Sequence, residues 1–237
     1  MVDWLFRLAE NPARAAILLD VDGVLAPIVP RPEDARVPAE TQAELRRLAA
    51  RYALVACISG RSEHDARRVV GLGELEYVGN HGLALAPETE AWEHKIKAFV
   101  STAGWDDVEH KRVSASFHYR RAADERAARQ RLDALAEQAR ADGLVARFGR
   151  KVLEVLPPVT ANKGTAVAAL LSKRGLVRAL YAGDDTTDLD AFAAVRALEV
   201  GVCVAVTSPE GPTALQEQAD LVVATPAELR ETVLRRL

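Results

Sequence analysis

The chain has 237 residues, of which 49% are hydrophobic and 27% charged, and its net charge is -3. This length allows one large domain or two smaller ones, and the interspersed charges argue against a nucleic-acid groove or a membrane-binding face. The longest apolar runs are too short to cross a bilayer, and the N-terminal residues lack an export pattern. We therefore expect a cytoplasmic monomer that binds a small anionic molecule.

Short apolar runs rich in β-branched residues alternate with amphipathic helical stretches along much of the chain. This pattern predicts an α/β fold in which buried parallel strands are joined by helices. Helices are expected over about 39–52 and 163–174, the second with Thr160 or Asn162 as its N-cap and Gly175 at its C-terminal end. The predicted strands are residues 16–19, 53–58, 179–182, 200–206 and 221–223.

The middle of the chain has a different pattern. Residues 113–120 alternate between polar and apolar side chains, which predicts a strand with one solvent-exposed face. A helix over about 123–141 and a second strand over about 145–156 follow, and prolines end that strand. The polar positions of the first strand are Ser114, Ser116, His118 and Arg120.

These elements predict a small α+β insertion over residues 85–158, within a parallel-sheet core formed by residues 1–84 and 159–237. Hinges are expected near Pro87 and at Pro157-Pro158, so that the insertion can open and close.

Polar side chains follow three of the predicted core strands, at the points where those strands end. Because the carboxyl ends of parallel strands lie along one edge of an open α/β sheet, we expect these side chains to converge. They are Asp20 and Asp22 after the first strand, Ser59 and Arg61 after the second, and Asp184, Asp185 and Asp188 after the strand that ends at Ala182.

The segment Asp20-Val21-Asp22-Gly23 supplies two carboxylates two residues apart. On extended backbone both would project to one side, and Gly23 would let the chain turn away. Since two nearby carboxylates do not both ionise freely, one can stay protonated as an acid while the other is an ionised nucleophile. An aspartyl-phosphate mechanism requires this division of roles.

Asp184, Asp185 and Asp188 concentrate more negative charge than a phosphate-binding edge tolerates without a cation. Mg²⁺ resolves this excess, because it binds carboxylates and keeps water and phosphate oxygens as its other ligands. Lys163 would add a positive charge and Ser59 a hydroxyl donor for the phosphoryl oxygens. Singly, these residues could form a turn, a helix cap or a solvated surface. Together, on one sheet edge, they favour a phosphoryl-transfer site.

The segments around Asp20, Ser59, Lys163 and Asp184 resemble, in order, the four motifs of the haloacid-dehalogenase-like phosphatases, over nearly the whole chain. A closer resemblance is to the trehalose-6-phosphate phosphatase family. It rests on residues 26–28 (Ala-Pro-Ile), 58–61 (Ile-Ser-Gly-Arg), 79–82 (Gly-Asn-His-Gly), 116–120 (Ser-Phe-His-Tyr-Arg), 162–164 (Asn-Lys-Gly) and 184–188 (Asp-Asp-Thr-Thr-Asp).

This resemblance implies a Rossmann-like core with an α/β cap inserted between the second and third motifs. It makes Asp20 the nucleophile and Asp22 the general acid and then the general base. Ser59 and Lys163 would grip the phosphate, with Arg61 as a further contact. Mg²⁺ would be bound by the Asp20 carboxylate, the Asp22 backbone carbonyl and Asp184, with Asp188 in support. The implied substrate-binding residues are Arg61, Asn80, His81, Lys111, His118, Arg120, Lys151 and Glu154.

The reaction implied by the resemblance is hydrolysis of trehalose 6-phosphate to trehalose and phosphate. Other possible activities are a phosphatase for a sucrose phosphate or mannosylglycerate phosphate, a phosphosugar mutase, and a catalytically silent sugar-phosphate sensor. The family often has an acidic residue soon after the His-Gly pair, where this chain has Leu83-Ala84-Leu85, and this difference bears on which sugar is bound. A sensor would need no protonating carboxylate beside an attacking one.

Overall fold

The computed structural model describes residues 3–85, 89–149, 151–207 and 211–237, and the hinge predicted near Pro87 lies outside them. The chain divides into two compact units. The core unit consists of Met1–Gly82 and Ala161–Leu237, and the inserted unit is Leu83–Thr160. The boundaries predicted from the sequence, 85 and 158, fall inside the inserted unit.

Within the described residues the chain forms ten β-strands and nine α-helices. Among these helices, none has the length and apolar character needed to cross a membrane. The strands are β1 (Ala15–Leu19), β2 (Leu54–Ile58), β3 (Glu76–Val78), β4 (Val108–Lys111), β5 (Ser114–His118), β6 (Val145–Gly149), β7 (Val152–Leu156), β8 (Arg178–Gly183), β9 (Val200–Val206) and β10 (Leu221–Val223). The helices are α1 (Asp3–Ala9), α2 (Ala39–Arg51), α3 (Glu63–Val70), α4 (Thr89–Thr102), α5 (Glu125–Ala141), α6 (Lys163–Arg174), α7 (Asp188–Arg196), α8 (Thr213–Glu217) and α9 (Pro226–Thr232).

The core unit contains a six-stranded sheet in the order β10-β9-β8-β1-β2-β3, and its paired strands are all parallel. Every residue of β1 and β2 is buried, which explains why these strands are continuous apolar runs rather than alternating ones. Leu19 at the end of β1 pairs with Cys57 of β2 and Ala182 of β8, so these three strands end side by side. The α/β prediction is confirmed, and each of the five predicted core strands is present.

Local capping signals fix the ends of α6. The Asn162 side chain accepts a hydrogen bond from the Thr165 N–H at 2.8 Å, and the Thr165 hydroxyl oxygen accepts one from the Asn162 N–H at 3.0 Å. Gly175 ends the helix in the left-handed conformation, with φ of 61°. The helix therefore begins and ends where the sequence predicts, and Lys163 is its first residue.

The inserted unit has a four-stranded antiparallel sheet in the order β4-β5-β7-β6, with α4 and α5 packed on its apolar face. The prediction of a single strand over 145–156 is wrong. Gly149 pairs with Val152, and Lys151 in the turn has φ of 60°, so β6 and β7 form a hairpin with a two-residue connection. The core-facing residues are Ala146 and Phe148 in β6 but Leu153 and Val155 in β7, so the alternation shifts by one residue at the turn.

The expected solvent-exposed face of β5 is only partly exposed. Ser114 and Ser116 are buried, whereas His118 is half-buried. Strand β5 is an interior strand, and its register pairs Ser116 with Glu109 on one side and Glu154 on the other. The short serine side chains are covered by these longer neighbours. The polar residues were therefore assigned to the correct face of the strand, but that face is less exposed than predicted.

Candidate active site

A buried lysine joins two carboxylates at the end of the core sheet. Asp20 directly follows β1, and it is 6% exposed, while Lys163 is 2% exposed. Lys163 Nζ donates hydrogen bonds to Asp20 Oδ2 and Asp188 Oδ1, each at 2.6 Å. Burying an unpaired ammonium is costly, so this lysine depends on both carboxylates. Lys163 is therefore part of a charge network rather than a solvated surface residue.

Asp188 organises the loop after β8. Its Oδ1 accepts hydrogen bonds from Lys163 and from the Tyr181 hydroxyl, both at 2.6 Å. Its Oδ2 accepts the backbone N–H groups of Asp184 and Asp185, both at 3.0 Å. Four donors thus hold one fully buried carboxylate, and this carboxylate fixes the backbone that carries Asp184. Tyr181 was not predicted, because it lies within an apolar strand, where it resembles an ordinary core residue.

Asp184 packs against the loop that follows β1. Gly23 has φ of 74°, and a Cβ atom added there would overlap the carboxylate of Asp184. A glycine is therefore required both by the turn and by this close approach. Among the described residues, Asp20, Asp184 and Asp188 each place a carboxylate oxygen within 4.8 Å of the others. Such a set of oxygen donors could hold a hard divalent cation.

Burial shifts the protonation of this acidic group. It raises the pKa of Asp20 to about 8, with the charge of Asp188 adding to the effect and that of Lys163 opposing it. It raises the pKa of Asp184 to about 7, again with a contribution from Asp188. Burial lowers the pKa of Lys163, but the adjacent Asp20 and Asp188 raise it more, so the net pKa lies above its ordinary value. A cation at this site would displace the carboxyl protons.

Asp22 has a different partner. The Arg61 guanidinium binds it in a bidentate manner, with Nε 2.6 Å from Oδ2 and Nη2 2.7 Å from Oδ1. Arg61 Nη1 also donates to the Pro32 carbonyl at 3.0 Å. Both residues follow the end of β1 at Leu19: the Asp20 N–H still donates to the Ala182 carbonyl at 3.0 Å, and Asp22 forms an isolated β-bridge with Ala26. That the two carboxylates project to one side stays a prediction. Asp20 is thus paired with Lys163, and Asp22 is paired with Arg61.

Ser59, Asn80 and His81 lie close together, next to the ion pair of Asp22 and Arg61. Ser59 is 1% exposed, its Oγ accepts the Arg61 N–H at 3.2 Å, and its carbonyl accepts the His81 N–H at 3.0 Å. Asn80 and His81 both have φ of 52°, and the His81 ring packs against Gly60. Asn80 Oδ1 is buried without a hydrogen-bond partner among the described residues. Left-handed backbone and an unpaired buried oxygen are frequent features of ligand-binding segments.

Five of the predicted sugar-binding residues belong to the inserted unit, and the structure brings three of them together. The register places Lys111 opposite Ser114 and Glu154 opposite Ser116, so both lie on the face of the sheet that carries His118. Glu109, which was not predicted, lies on the same face, with its Oε2 3.5 Å from both Lys111 Nζ and His118 Nε2. Residues 108–111 do not alternate clearly enough for the sequence to have identified it.

The other two residues lie elsewhere in the inserted unit. Arg120 is exposed in the turn beyond β5. Lys151 lies in the hairpin turn, where its ammonium group pairs with Glu125 at the start of α5. Since α5 packs on the apolar face of the sheet, this contact directs Lys151 away from Lys111 and Glu154.

Comparison with known proteins gives a match to the trehalose-phosphatase family over residues 18–106 and 106–223. A trehalose-phosphate phosphatase of Mycobacterium avium is 36% identical over 76% of this chain and 51% of its own length. An uncharacterized glycosyl hydrolase of Mycobacterium tuberculosis is 35% identical over 81% of this chain and 16% of its own length. The structure of Aspergillus fumigatus trehalose-6-phosphate phosphatase has 26% identity and a TM-score of 0.60, covering 98% of this chain and 95% of that one.

The chain thus spans about half, or less, of the length of the two curated relatives. The family match nevertheless extends over most of both units, including β1 through β10 apart from the first residues of β1. It also agrees with the parallel sheet and with the acidic group at its edge. The chain belongs to the trehalose-phosphatase family.

Proposed function

We propose that this chain is a Mg²⁺-dependent phosphatase that hydrolyses trehalose 6-phosphate to trehalose and phosphate, acting as a monomer in the cytoplasm. The observation that carries this proposal is the buried contact of Asp20 with Lys163 beside Asp184, at the ends of β1 and β8. Family membership and the trehalose-phosphate phosphatase of M. avium support the choice of sugar.

In the first step, a carboxylate oxygen of Asp20 attacks phosphorus, and the bond between phosphorus and the sugar oxygen breaks. Asp22 gives its proton to that sugar oxygen, so neutral trehalose leaves and a phosphoryl group remains on Asp20. Lys163 lies 2.6 Å from Asp20 Oδ2, where its charge stabilises the transferring phosphoryl oxygens.

In the second step, Asp22 removes a proton from water, and the water oxygen attacks phosphorus. The bond between phosphorus and the Asp20 oxygen breaks, which releases phosphate and regenerates the carboxylate. The proton taken from water leaves Asp22 protonated at the end of the cycle, as it was at the start. Buried Ser59 adds a hydroxyl donor for the phosphate.

The acidic group fits the cation that this reaction requires. Asp20 and Asp184 would hold Mg²⁺ by carboxylate oxygens, and the Asp22 backbone carbonyl is a further expected ligand. Asp188 already accepts hydrogen bonds from four donors, so its role would be to support Asp184. Bound Mg²⁺ would neutralise negative charge on the phosphate and on the carboxylates.

The sugar would be bound by the polar face of the inserted sheet. Lys111 and His118 can donate hydrogen bonds to sugar hydroxyl groups, and the carboxylates of Glu154 and Glu109 can accept them. Arg120 and Lys151 remain predicted contacts whose positions in the described structure lie apart from this group.

The test is phosphate release from a panel of sugar phosphates with Mg²⁺, including trehalose 6-phosphate, sucrose phosphate and mannosylglycerate phosphate. We expect trehalose 6-phosphate to be preferred and Asp20→Asn to lower kcat by about 10⁴-fold or more. The exposed carboxylate Asp133 provides a matched control, since Asp133→Asn should leave kcat unchanged. Preference for another sugar phosphate would sink the choice of sugar, and full activity in Asp20→Asn would sink the mechanism.

A further inference from the structure

Arg61 was expected to bind the substrate phosphate, but its contacts indicate another role. Two of its nitrogens, Nε and Nη2, bind both oxygens of Asp22, and the third, Nη1, donates to the Pro32 carbonyl. All three guanidinium nitrogens are therefore engaged within the core unit. The Arg61 side chain is 14% exposed, compared with 34% for Asp22, so the carboxylate is the more accessible partner.

We propose that Arg61 is a positioning residue that holds the carboxylate of Asp22, and that it is not a phosphate ligand. The inference rests on the proposed function, in which Asp22 transfers protons to and from the reacting oxygens. A planar guanidinium matches a carboxylate with two parallel hydrogen bonds, which fixes the orientation of the carboxylate as well as its distance.

The backbone of Arg61 is anchored in the same way as its side chain. Its N–H donates to Ser59 Oγ at 3.2 Å, and its carbonyl accepts the Asn80 N–H at 2.8 Å. The orientation of Asp22 is thus tied, through a single residue, to the ends of β2 and β3. This coupling explains why an arginine stands two residues after Ser59.

The two roles for Arg61 predict different effects of Arg61→Lys. Lysine is a good phosphate ligand as a point charge, so it would largely restore a lost phosphate contact. It cannot make the planar bidentate contact that orients a carboxylate. If Arg61 positions Asp22, both Arg61→Lys and Arg61→Ala should lower kcat for trehalose 6-phosphate about tenfold or more, with KM changed less than about threefold. Rescue of kcat by lysine, or a rise in KM as the main effect, would overturn the proposal.

A double-mutant cycle with Asp22→Asn tests whether Arg61 acts through Asp22. In the Asp22→Asn background, Arg61→Ala should change kcat by less than about twofold, because the group that it positions is already gone. Independent, multiplicative losses would contradict the proposal. Arg68→Lys is the matched control, since Arg68 pairs with Asp65 at the surface and its replacement should leave turnover unchanged.

A spectroscopic readout separates failure of this inference from failure of the proposed function. The nitrogen resonance of Arg61 Nε should move in Asp22→Asn and stay in place when inorganic phosphate is added with Mg²⁺. The reverse pattern would assign Arg61 to phosphate, whatever the activity of the protein. Absence of turnover in the wild-type protein would instead refute the phosphatase proposal and leave the resonance test valid.

Discussion

The charged residues of the candidate active site in the core unit are more deeply buried than those on the polar face of the sheet in the inserted unit. In the core unit, Lys163 and Asp188 are buried, and short hydrogen bonds of 2.6 Å join Asp188 to Lys163 and to the Tyr181 hydroxyl. In the inserted unit, Lys111, Glu109 and His118 form longer contacts of 3.5 Å, with side chains that remain partly exposed. A buried charge network can orient a reacting group, whereas a partly hydrated face can exchange its water for sugar hydroxyls.

Removing one charged side chain should therefore lower the free energy of unfolding more in the buried network than on the partly exposed face. Buried ion pairs are strongly destabilised when one partner is removed, because the other is left unpaired away from water. Exposed pairs contribute little, because water replaces the lost partner. Three predictions follow from this contrast, in order of decreasing effect on the free energy of unfolding.

Lys163→Met should have the largest effect, because it leaves the fully buried carboxylate of Asp188 without its cation. We expect a loss of about 3–5 kcal/mol in the free energy of unfolding, measured by urea denaturation near neutral pH. Lys173→Met, at an exposed position in the last turn of the same helix, should change it by less than about 0.5 kcal/mol. Equal stabilities of the two variants would contradict the idea of a buried charge network.

The effect of Mg²⁺ should depend on pH. The pKa of Asp20 is raised to about 8 and that of Asp184 to about 7, both from 3.8, so the metal-free folded chain holds protons that the unfolded chain loses. Stability without metal should therefore fall as the pH rises from about 4 to about 8. Since Mg²⁺ competes with these protons, its stabilisation should be larger at about pH 8.5 than at about pH 6.

At a fixed concentration that is 100-fold above its dissociation constant at about pH 8.5, Mg²⁺ should add about 2.7 kcal/mol to the free energy of unfolding at that pH, and less at about pH 6. Unfolding curves with and without Mg²⁺ at the two pH values measure this gain. Asp184→Asn should remove most of it, whereas Asp133→Asn should keep it. A gain that is the same at both pH values would mean that Mg²⁺ binds away from these carboxylates.

Lys111→Met should have the smallest effect on stability, because its pair with Glu109 is partly exposed. We expect a loss below about 1 kcal/mol. The same change should raise KM for trehalose 6-phosphate about tenfold with kcat kept, since it would remove a contact made equally in ground and transition states. Steady-state kinetics beside Lys97→Met, an exposed position on α4, gives the comparison. An unchanged KM would remove Lys111 from the sugar site.

The sequence predictions were accurate where strong signals lie close together in the sequence, and they failed where the sequence pattern is short or weak. Helix α6 was predicted residue for residue, because its caps at Asn162 and Gly175 are local. The hairpin between β6 and β7 was missed, although the alternation of core-facing residues shifts by one residue between Phe148 and Leu153, because only two residues separate the two strands. Short β3 and β4 were also missed, since three or four residues carry too weak a pattern.

The sequence by itself determined the parallel α/β core, the residues at the strand ends, and the edge of the sheet where they gather, because burial and chain direction impose these patterns locally. Only the tertiary structure decided which acidic side chain pairs with which basic side chain. Asp22 pairs with Arg61 across 39 residues, and Asp20 pairs with Lys163 across 143. Tyr181 joined the network in the same way, through a contact with Asp188. Side-chain pairing depends on the packing of distant segments, and no periodic pattern in the sequence encodes it.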